Sequence, residues 1–393
     1  MMSKEVVVID GARTAFTEFG GSFRDISAID LATATTVEAL KRSGIEPAEV
    51  DEVVIGNVIQ SSKDAIYMGR HVGLKSGIPE HVPGLTVNRL CGSGLQAIIN
   101  VAQSIKLGES NVGVAGGAES MSQVPHVIRG ARWGLPLGKA PMEDYLWEAL
   151  YDPFGKCSMA ITAENLAEKY EISREDIDGF ASRSHQKALQ AIEKGYFSQE
   201  IVPYTVKERK GDKVIDEDEH PRETSTSTLN KLSARFKENG VVTAGNASGI
   251  NDGAASVVLT SGEYAEENNL KPLARLVSWG IVGVDPKYMG IGPVPAIQQA
   301  LKRAGMRIEQ MDLIEINEAF GAQYLACQKE LGFNPELGNV NGGAIALGHP
   351  LGASGVRISL SLLYELKRRN NKFGVSALCI GGGQGIAAIW EVL

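Results

Sequence analysis

Cysteine is scarce in this chain. There are four in 393 residues, Cys91, Cys157, Cys327 and Cys379, and none forms a CxxC pair or another close metal-ligand spacing. That argues against a disulfide-stapled secreted scaffold and against a zinc ribbon. It suggests free thiols in a reducing compartment, here the cytoplasm, and no metal. No stretch reaches the roughly 18 consecutive apolar residues of a membrane-spanning helix, so no contact with a bilayer is expected. Long basic runs are absent and the net charge is −8, which disfavours nucleic acid as a general partner. The opening "MMSKEVVVIDG" runs almost at once into a strand, with neither the apolar core of a signal peptide nor the Arg/Ser pattern of a transit peptide.

Glycine, by contrast, is abundant at 45 residues, above the usual share of about 7%. It gathers in short motifs rather than in a low-complexity tract. With 43% hydrophobic and 22% charged residues, the composition is that of a globular protein, and the length suggests roughly two or three units.

The chain repeats itself. "ALKRSGIEPAEVDEVVIGN" (39–57) aligns without a gap on "ALKRAGMRIEQMDLIEINE" (300–318), an offset of 261 residues. Each reads as a helix end, a glycine stop and a short apolar strand. The same offset places "NRLCGSGLQ" (88–96) on "HPLGASGVR" (349–357). Both open amphipathic helices, one with Leu95, Ile98, Ile99, Ala102 and Ile105 on one face, the other with Val356, Leu360 and Leu363. "VAGGAES" (114–120) resembles "CIGGGQG" (379–385) at an offset of 265, about four residues having been inserted. A period this long is no solenoid repeat. It describes two homologous α/β halves. We assign residues 1–121 and 248–270 to the first half and 271–393 to the second. Residues 122–247 are an insertion, with helices expected near 160–170 and 179–195 and a charged stretch, "KERKGDKVIDEDEHPRE". The first half resumes with "TAGNASGINDGAASVVLT", read as a loop, a helix start and a strand.

Duplication brings matching strand-to-helix corners together if the halves pack around a pseudo-twofold axis. One corner carries Cys91. Its counterpart is Gly352, with His349 three residues before it. Cys379 and Asn317 come from two further strand ends, in "ALCIGGG" and "EINEAF". A thiol of pKa about 8.5 is a minor thiolate at neutral pH. A helix N-terminus favours the anion by only roughly 0.3–1 kcal/mol, so a neighbouring imidazole base has to supply the rest. Backbone N–H groups in the glycine turns can face a developing oxyanion, each worth roughly 2.7–4 kcal/mol. Taken singly, these signals have plainer readings: a core cysteine, a structural histidine before proline, a packing turn. "GSGLQA" also approaches the dinucleotide fingerprint GxGxxA, but no acidic residue stands about 20 positions on at a second strand end.

Together, "NRLCGSGLQAI", "AGGAESMS", "TAGNASGINDGA", "MGIGPVPA", "INEAF", "NVNGGAIALGHPLGASG" and "CIGGGQG" make the chain resemble a thiolase over essentially its whole length. The resemblance implies a five-layered αβαβα fold of two similar halves, with the insertion as a loop domain over the active site. It implies an acyltransferase of fatty-acid metabolism working on coenzyme A thioesters, coenzyme A being a substrate, with no nicotinamide, and a homodimer or a homotetramer built as a dimer of dimers. By the same resemblance Cys91 is the acyl-accepting nucleophile and His349 the base that activates it and helps hold a thioester oxyanion. Asn317 positions a water in that hole, and Cys379 moves the proton on the substrate's alpha carbon. The backbone N–H groups of Cys91 and Gly381 form the second hole. Met159, Phe236, Ala244, Ser248, Ala319 and Phe320 match positions lining the pantetheine channel, and Arg222 one near the adenine end. Ser158 stands where short-chain biosynthetic thiolases tend to carry a histidine, and "TSTST" (224–228) is one residue short of the usual pattern. "VNRLCGSG", "ISRED", "DEHPR" and "CIGGGQG" lean toward the 3-ketoacyl-CoA type with broad chain tolerance. A decarboxylating ketoacyl synthase-like enzyme is the alternative on the same fold.

Overall fold

A computed structural model describes residues 4–138, 141–209 and 211–393. The first three residues of the opening stretch, residues 139–140 of the insertion and residue 210 of the charged stretch lie outside the described residues.

Nine strands form the spine of one mixed sheet: β1 (Val6–Arg13), β2 (Glu52–Gly56), β3 (Gly84–Val87), β4 (Val112–Ser120), β5 (Asn251–Ser261), β6 (Ala274–Gly283), β7 (Leu313–Ile316), β8 (Phe373–Ile380) and β9 (Gln384–Val392). A two-residue strand, Thr17–Glu18, pairs with β5 off this path. The order β7-β8-β9-β6-β1-β5-β4-β2-β3 reads alike outward from the β6–β1 junction. On each side two antiparallel pairings are followed by a parallel one. Even the register shifts match, one in β1 between Val8 and Asp10 and one in β6 between Leu276 and Ser278. β1 and β6 share only two residue pairs, Val7 with Arg275 and Val8 with Ala274. Beyond β7 the counterpart of β3 is reduced to a single bridge from Ile314 to Gly338.

The helices are α1 (Ala28–Ser43), α2 (Met68–Lys75), α3 (Ser93–Leu107), α4 (Met159–Tyr170), α5 (Arg174–Glu193), α6 (Pro293–Ala304), α7 (Gly321–Leu331) and α8 (Leu351–Arg369). The glycine stops read from the repeat are real caps. Gly44 ends α1 and Gly305 ends α6, both left-handed at φ 66° and both donating to the last turn. α1 and α2 lie on the outer face of one half-sheet, and α6 on the outer face of the other. α3 and α8 touch both half-sheets. The result is the expected five-layered αβαβα arrangement.

Three apolar clusters fill the gaps between layers. The central one joins Leu95, Ile98 and Ile105 of α3 to Val356, Leu360 and Leu363 of α8 and to Ile380, Ile386 and Trp390 of the sheet. The outer clusters take the alternate residues, such as Val53, Ile55 and Val114 on one side and Val375, Ala387 and Ile389 on the other. A sheet buried on both faces explains why its strands read as continuous apolar runs. Between residues 122 and 247, α4 and α5 pack on α7, and the charged stretch forms a hairpin, Tyr204–Glu208 with Gly211–Ile215.

The expected helix start in "TAGNASGINDGAASVVLT" is absent. Residues 243–250 are loop and bridge, and β5 begins directly at Asn251. Asn251 and Asp252 find strand partners at Glu18 and Thr17, and the small residues that follow fit between β1 and β4. Pairing on both edges outweighs the cap-like look of Asn-Asp-Gly. Among the described residues no helix is long and apolar enough to cross a membrane.

The central helices meet through glycine. A Cβ on Gly94 would lie 2.7 Å from the Gly352 carbonyl oxygen, and one on Gly355, its repeat mate, would run into the Leu95 amide nitrogen. Gly355→Ala should therefore cost about 1–3 kcal/mol, the usual scale of overpacking, read as a lower denaturant midpoint. An unchanged midpoint would show that the helices are not in contact there.

Candidate active site

Cys91 lies between β3 and α3, on a corner held by short side chains. The Asn88 side chain accepts from the Leu90 N–H at 2.9 Å. Ser93 Oγ accepts from the Arg89 N–H at 2.9 Å and donates to the Leu90 carbonyl at 2.6 Å. Leu90 is forced to φ 47°, a sparsely populated region for a non-glycine residue, and this turns the next side chain out of the corner. Arg89 reaches across the molecule to Gln384 Oε1 at 3.0 Å, tying this corner to the glycine turn of the other half. The Cys91 thiol is raised to about 11, chiefly by burial. The backbone N–H groups of Gly381 and of Cys91 itself point at the sulfur and pull the other way, while the Glu119 carboxylate adds to the rise.

His349 stands at the matching corner of the second half. It is buried, its N–H donates to Asn251 Oδ1 at 3.2 Å, and Asn251 Nδ2 donates to the Thr17 carbonyl at 3.0 Å. The ring has a partner at each nitrogen. Ser354 Oγ lies 2.6 Å from Nδ1, and Asn317 Nδ2 lies 3.3 Å from Nε2. Burial, with a smaller push from the Arg357 guanidinium, lowers the imidazole to about 3, so it is neutral at physiological pH.

Asn317 follows β7 and is buried, with Oδ1 lacking any partner. An orphaned carbonyl beside a histidine invites a hydrogen-bond donor from outside the protein. Cys379 lies next to the last residue of β8, fully buried among Met289, Ala319, Met159 and Phe320. Burial drives its thiol well above the ordinary range, and the nearness of Cys91 adds to that. The turn after it is tight. Gly382 and Gly383 are left-handed at φ 75° and 84°, and a Cβ on Gly381 would sit 3.2 Å from Leu90 and 3.3 Å from the Met159 sulfur. Cys91, His349, Asn317, Cys379 and Gly381 thus converge from distant parts of the chain. Most stand at the carboxyl ends of strands, where open α/β sheets bind their ligands.

A cavity of about 710 Å³, its mouth included, leads to this point. Its wall includes Met159, Phe236, Ser248, Phe320 and His349. Ala319 lies behind the wall, buried against Cys379. Ala244 is exposed and off the wall, and residues 247–250 of its loop take that place. Arg222 is also exposed. It meets the His220 ring at 3.3 Å, and that ring packs behind Gly249. An apolar wall that includes one imidazole, itself bonded to Asn317, suits the amphiphilic pantetheine arm of coenzyme A. Among the described residues no cluster of three or more His, Cys, Asp or Glu side chains is placed to hold a metal ion.

Several residues at the site went unread in the sequence. Met121, Trp147, Leu150 and Leu351 line the cavity, and their spacing carries no periodic signal. Ser93 and Ser354 are repeat mates, so the 261-residue offset could have found them. Glu119 is buried, and its carboxylate, raised to about 7 chiefly by burial, accepts from Asn57 Nδ2 and the N–H groups of Val58, Ile59 and Gly352. It joins the first half to the head of α8.

Comparison with known proteins agrees with this geometry. The profile described as thiolase, N-terminal domain matches residues 6–263, and that described as thiolase, C-terminal domain matches residues 270–392. A mitochondrial 3-ketoacyl-CoA thiolase of Bos taurus is 50% identical over 388 residues, covering 98% of both chains. The beta-ketothiolase BktB of Cupriavidus necator is 51% identical over 392 residues, covering 99% of this chain and 100% of that one. The crystal structure of human mitochondrial 3-ketoacyl-CoA thiolase in complex with CoA superposes with a TM-score of 0.96 at 49% identity, covering 99% of this chain and 98% of that one. Two matched halves in tandem, and likeness from end to end in both sequence and fold, mean that the chain belongs to the thiolase family.

Proposed function

We propose that this protein is a thiolase in activity, an acyltransferase that cleaves 3-ketoacyl-CoA, acetoacetyl-CoA included, with coenzyme A and runs the reverse condensation of acetyl-CoA with an acyl-CoA. The observation that carries this reading is one cavity whose wall holds the His349 imidazole together with Leu351, packed with Cys91, and Met159 and Phe320, packed with Cys379. The names of the relatives, 3-ketoacyl-CoA thiolase and beta-ketothiolase, point the same way, and a part in β-oxidation of fatty acyl chains belongs to the same proposal. Nothing in the geometry favours a decarboxylating condensing enzyme.

The roles follow from where each group stands. His349 Nε2 takes the proton of Cys91, and the thiolate attacks the 3-keto carbonyl. The bond between C2 and C3 breaks, leaving an acyl-Cys91 and the carbanion of acetyl-CoA, which takes a proton at C2 from the Cys379 thiol. The incoming coenzyme A thiol returns a proton to Cys379 and attacks the acyl-Cys91 carbonyl. Acyl-CoA leaves, and Cys91 recovers its proton from His349. Two separate proton carriers suit two steps in one small pocket. The N–H groups of Cys91 and Gly381, already aimed at the sulfur, suit the oxyanion formed on the carbon that Cys91 attacks. His349 and Asn317, the latter through a water, suit the thioester oxyanion. In this reading residues 122–247 form the loop domain over coenzyme A. Met159, Phe236, Ser248 and Phe320 flank the pantetheine arm, Ala319 backs them, and Arg222 with Ala244 lies further out.

A homo-oligomer is part of the same proposal, a homodimer or a dimer of dimers. β3 is an edge strand with Leu85 exposed on it, near exposed Ile66 and Tyr67, and Trp133, Leu137 and Phe154 stand out from the insertion. Apolar groups at an open sheet edge suit burial by another copy. Four free thiols, two of them reacting, suit a reducing compartment. We place the protein in the cytoplasm, and fractionation of the source cells would separate this from the mitochondrial location in the names of several relatives.

Four outcomes test the proposal. Acetoacetyl-CoA and longer 3-ketoacyl-CoA substrates should be cleaved. Cys91→Ala should abolish turnover, whereas Cys379→Ala should still accept an acyl group on residue 91, seen as the added mass of the intact protein. Equal loss of both steps in Cys379→Ala would refute the division of labour. Acylation of Cys91 by acetyl-CoA should be nearly flat between about pH 5 and pH 8, because the imidazole stays neutral and the thiol stays protonated across that range. A sigmoidal loss centred near the ordinary imidazole value of about 6.5 would show that His349 titrates there and is not held neutral. Sedimentation should give a dimer or tetramer, and Leu85→Lys should lower that state; a monomeric parent protein would remove the edge-pairing argument.

A further inference from the structure

We infer that Ser354 is a positioning residue for the reaction, its hydroxyl fixing which nitrogen of His349 is the base. The inference rests on the reading of His349 as the base for Cys91.

The argument starts from a serine hydroxyl's single hydrogen. Ser354 Oγ is 2.8 Å from the Pro350 carbonyl and 2.6 Å from His349 Nδ1. A carbonyl can only accept, and with the Ser354 hydrogen directed at Pro350, whose oxygen also takes the Ala353 and Ser354 N–H groups, the serine oxygen is left to accept from an N–H on Nδ1. The other end of the ring agrees. The Asn317 Nδ2 group can only donate, and it lies against Nε2, which must then carry a lone pair. With the ring neutral, both ends require the same tautomer: hydrogen on Nδ1, base at Nε2. Were the tautomer reversed, Nε2 would face Asn317 as a second donor and could take no proton from Cys91.

The duplication shows why Ser354 is free for this work. Its repeat mate Ser93 also donates to a carbonyl of the preceding turn, that of Leu90 three residues back rather than four, but its oxygen is occupied by the Arg89 N–H. The residue matching Arg89 is Pro350, which has no N–H. Replacing that donor by proline leaves the serine oxygen open at the one place where an imidazole needs an acceptor. Ser354 is fully buried, and among the described residues its hydroxyl is the partner that Nδ1 has.

A double-mutant cycle tests this. The rate of carbamidomethylation of Cys91 by iodoacetamide near neutral pH is followed by peptide mass spectrometry in the parent protein, Ser354→Ala, His349→Ala and the double variant. Ser354→Ala should slow the reaction by about 10- to 100-fold, part of the roughly 10²–10⁴ that a placed base contributes. The KM for acetoacetyl-CoA should hold within a few-fold, and Ser354→Thr, which keeps the hydroxyl, should recover most of the rate. In the His349→Ala background the same serine change should have no further effect. Equal slowing by Ser354→Ala with and without His349 would make the residue merely structural and overturn the inference. So would an unchanged rate in Ser354→Ala while His349→Ala is slow. If His349→Ala itself reacts at the parent rate, it is the assignment of the base that fails. Should Ser354→Thr not fold, the cycle with alanine alone decides.

Discussion

The close contact of α3 and α8 is the constraint on which the site depends. Both helices start at the chemistry, and both are buried between the half-sheets, so the distance between their axes sets how near their first residues come. Glycine at the matched positions 94 and 355 removes the side chains that would hold them apart. A third glycine, Gly352, occupies the repeat position of Cys91 itself, packed against the carbonyl oxygens of Gly56 and Ala118. One half of the duplication thus presents a thiol at this corner, while the other gives up its side chain so that the corner can be approached. Glu119, holding the Gly352 N–H and the backbone at 58–59 together, fastens the arrangement from below.

Dryness accounts for the unusual acid–base state. Burial is the chief cause that pushes both thiols up and the imidazole down, so the resting site carries no charge on any of the three. A charged pair would be costly in such a pocket without a ligand to share it. In the proposed mechanism the N–H groups of Cys91 and Gly381 are in place as donors before any charge exists, and Asn317 Oδ1 is free to accept from a water. That is the condition under which fixed dipoles contribute most, since they need not reorganise during the reaction.

Much of this was legible in the sequence, because duplication leaves a pattern that no single motif has. Matched glycine stops, matched corners and the apolar faces of α3 and α8 all follow from one offset. The side chains proposed to react were recognisable through the family motifs around them. Other features were hidden for physical reasons. The cavity wall at Met121, Trp147 and Leu150 comes from irregular backbone, where neither the helical nor the strand period applies. The start of β5 looked like a helix cap because Asn-Asp-Gly is a local signal, and the strand partners that override it are more than 200 residues away in sequence. Ser354 was visible as the mate of Ser93, but its use depends on a proline removing one hydrogen, which only hydrogen-bond accounting in three dimensions brings out.

The two halves differ at their rims. The first ends in a full strand, β3, with a free side, while in the second the equivalent strand has shrunk to the bridge at Gly338. A molecule with two such free rims could add neighbours at both ends and grow without limit. With a full free strand at one rim only, the rim-to-rim joining proposed above would occupy that strand and stop at a pair related by a twofold axis. The shrunken strand of the second half leaves far less backbone at that rim for a further copy to pair with.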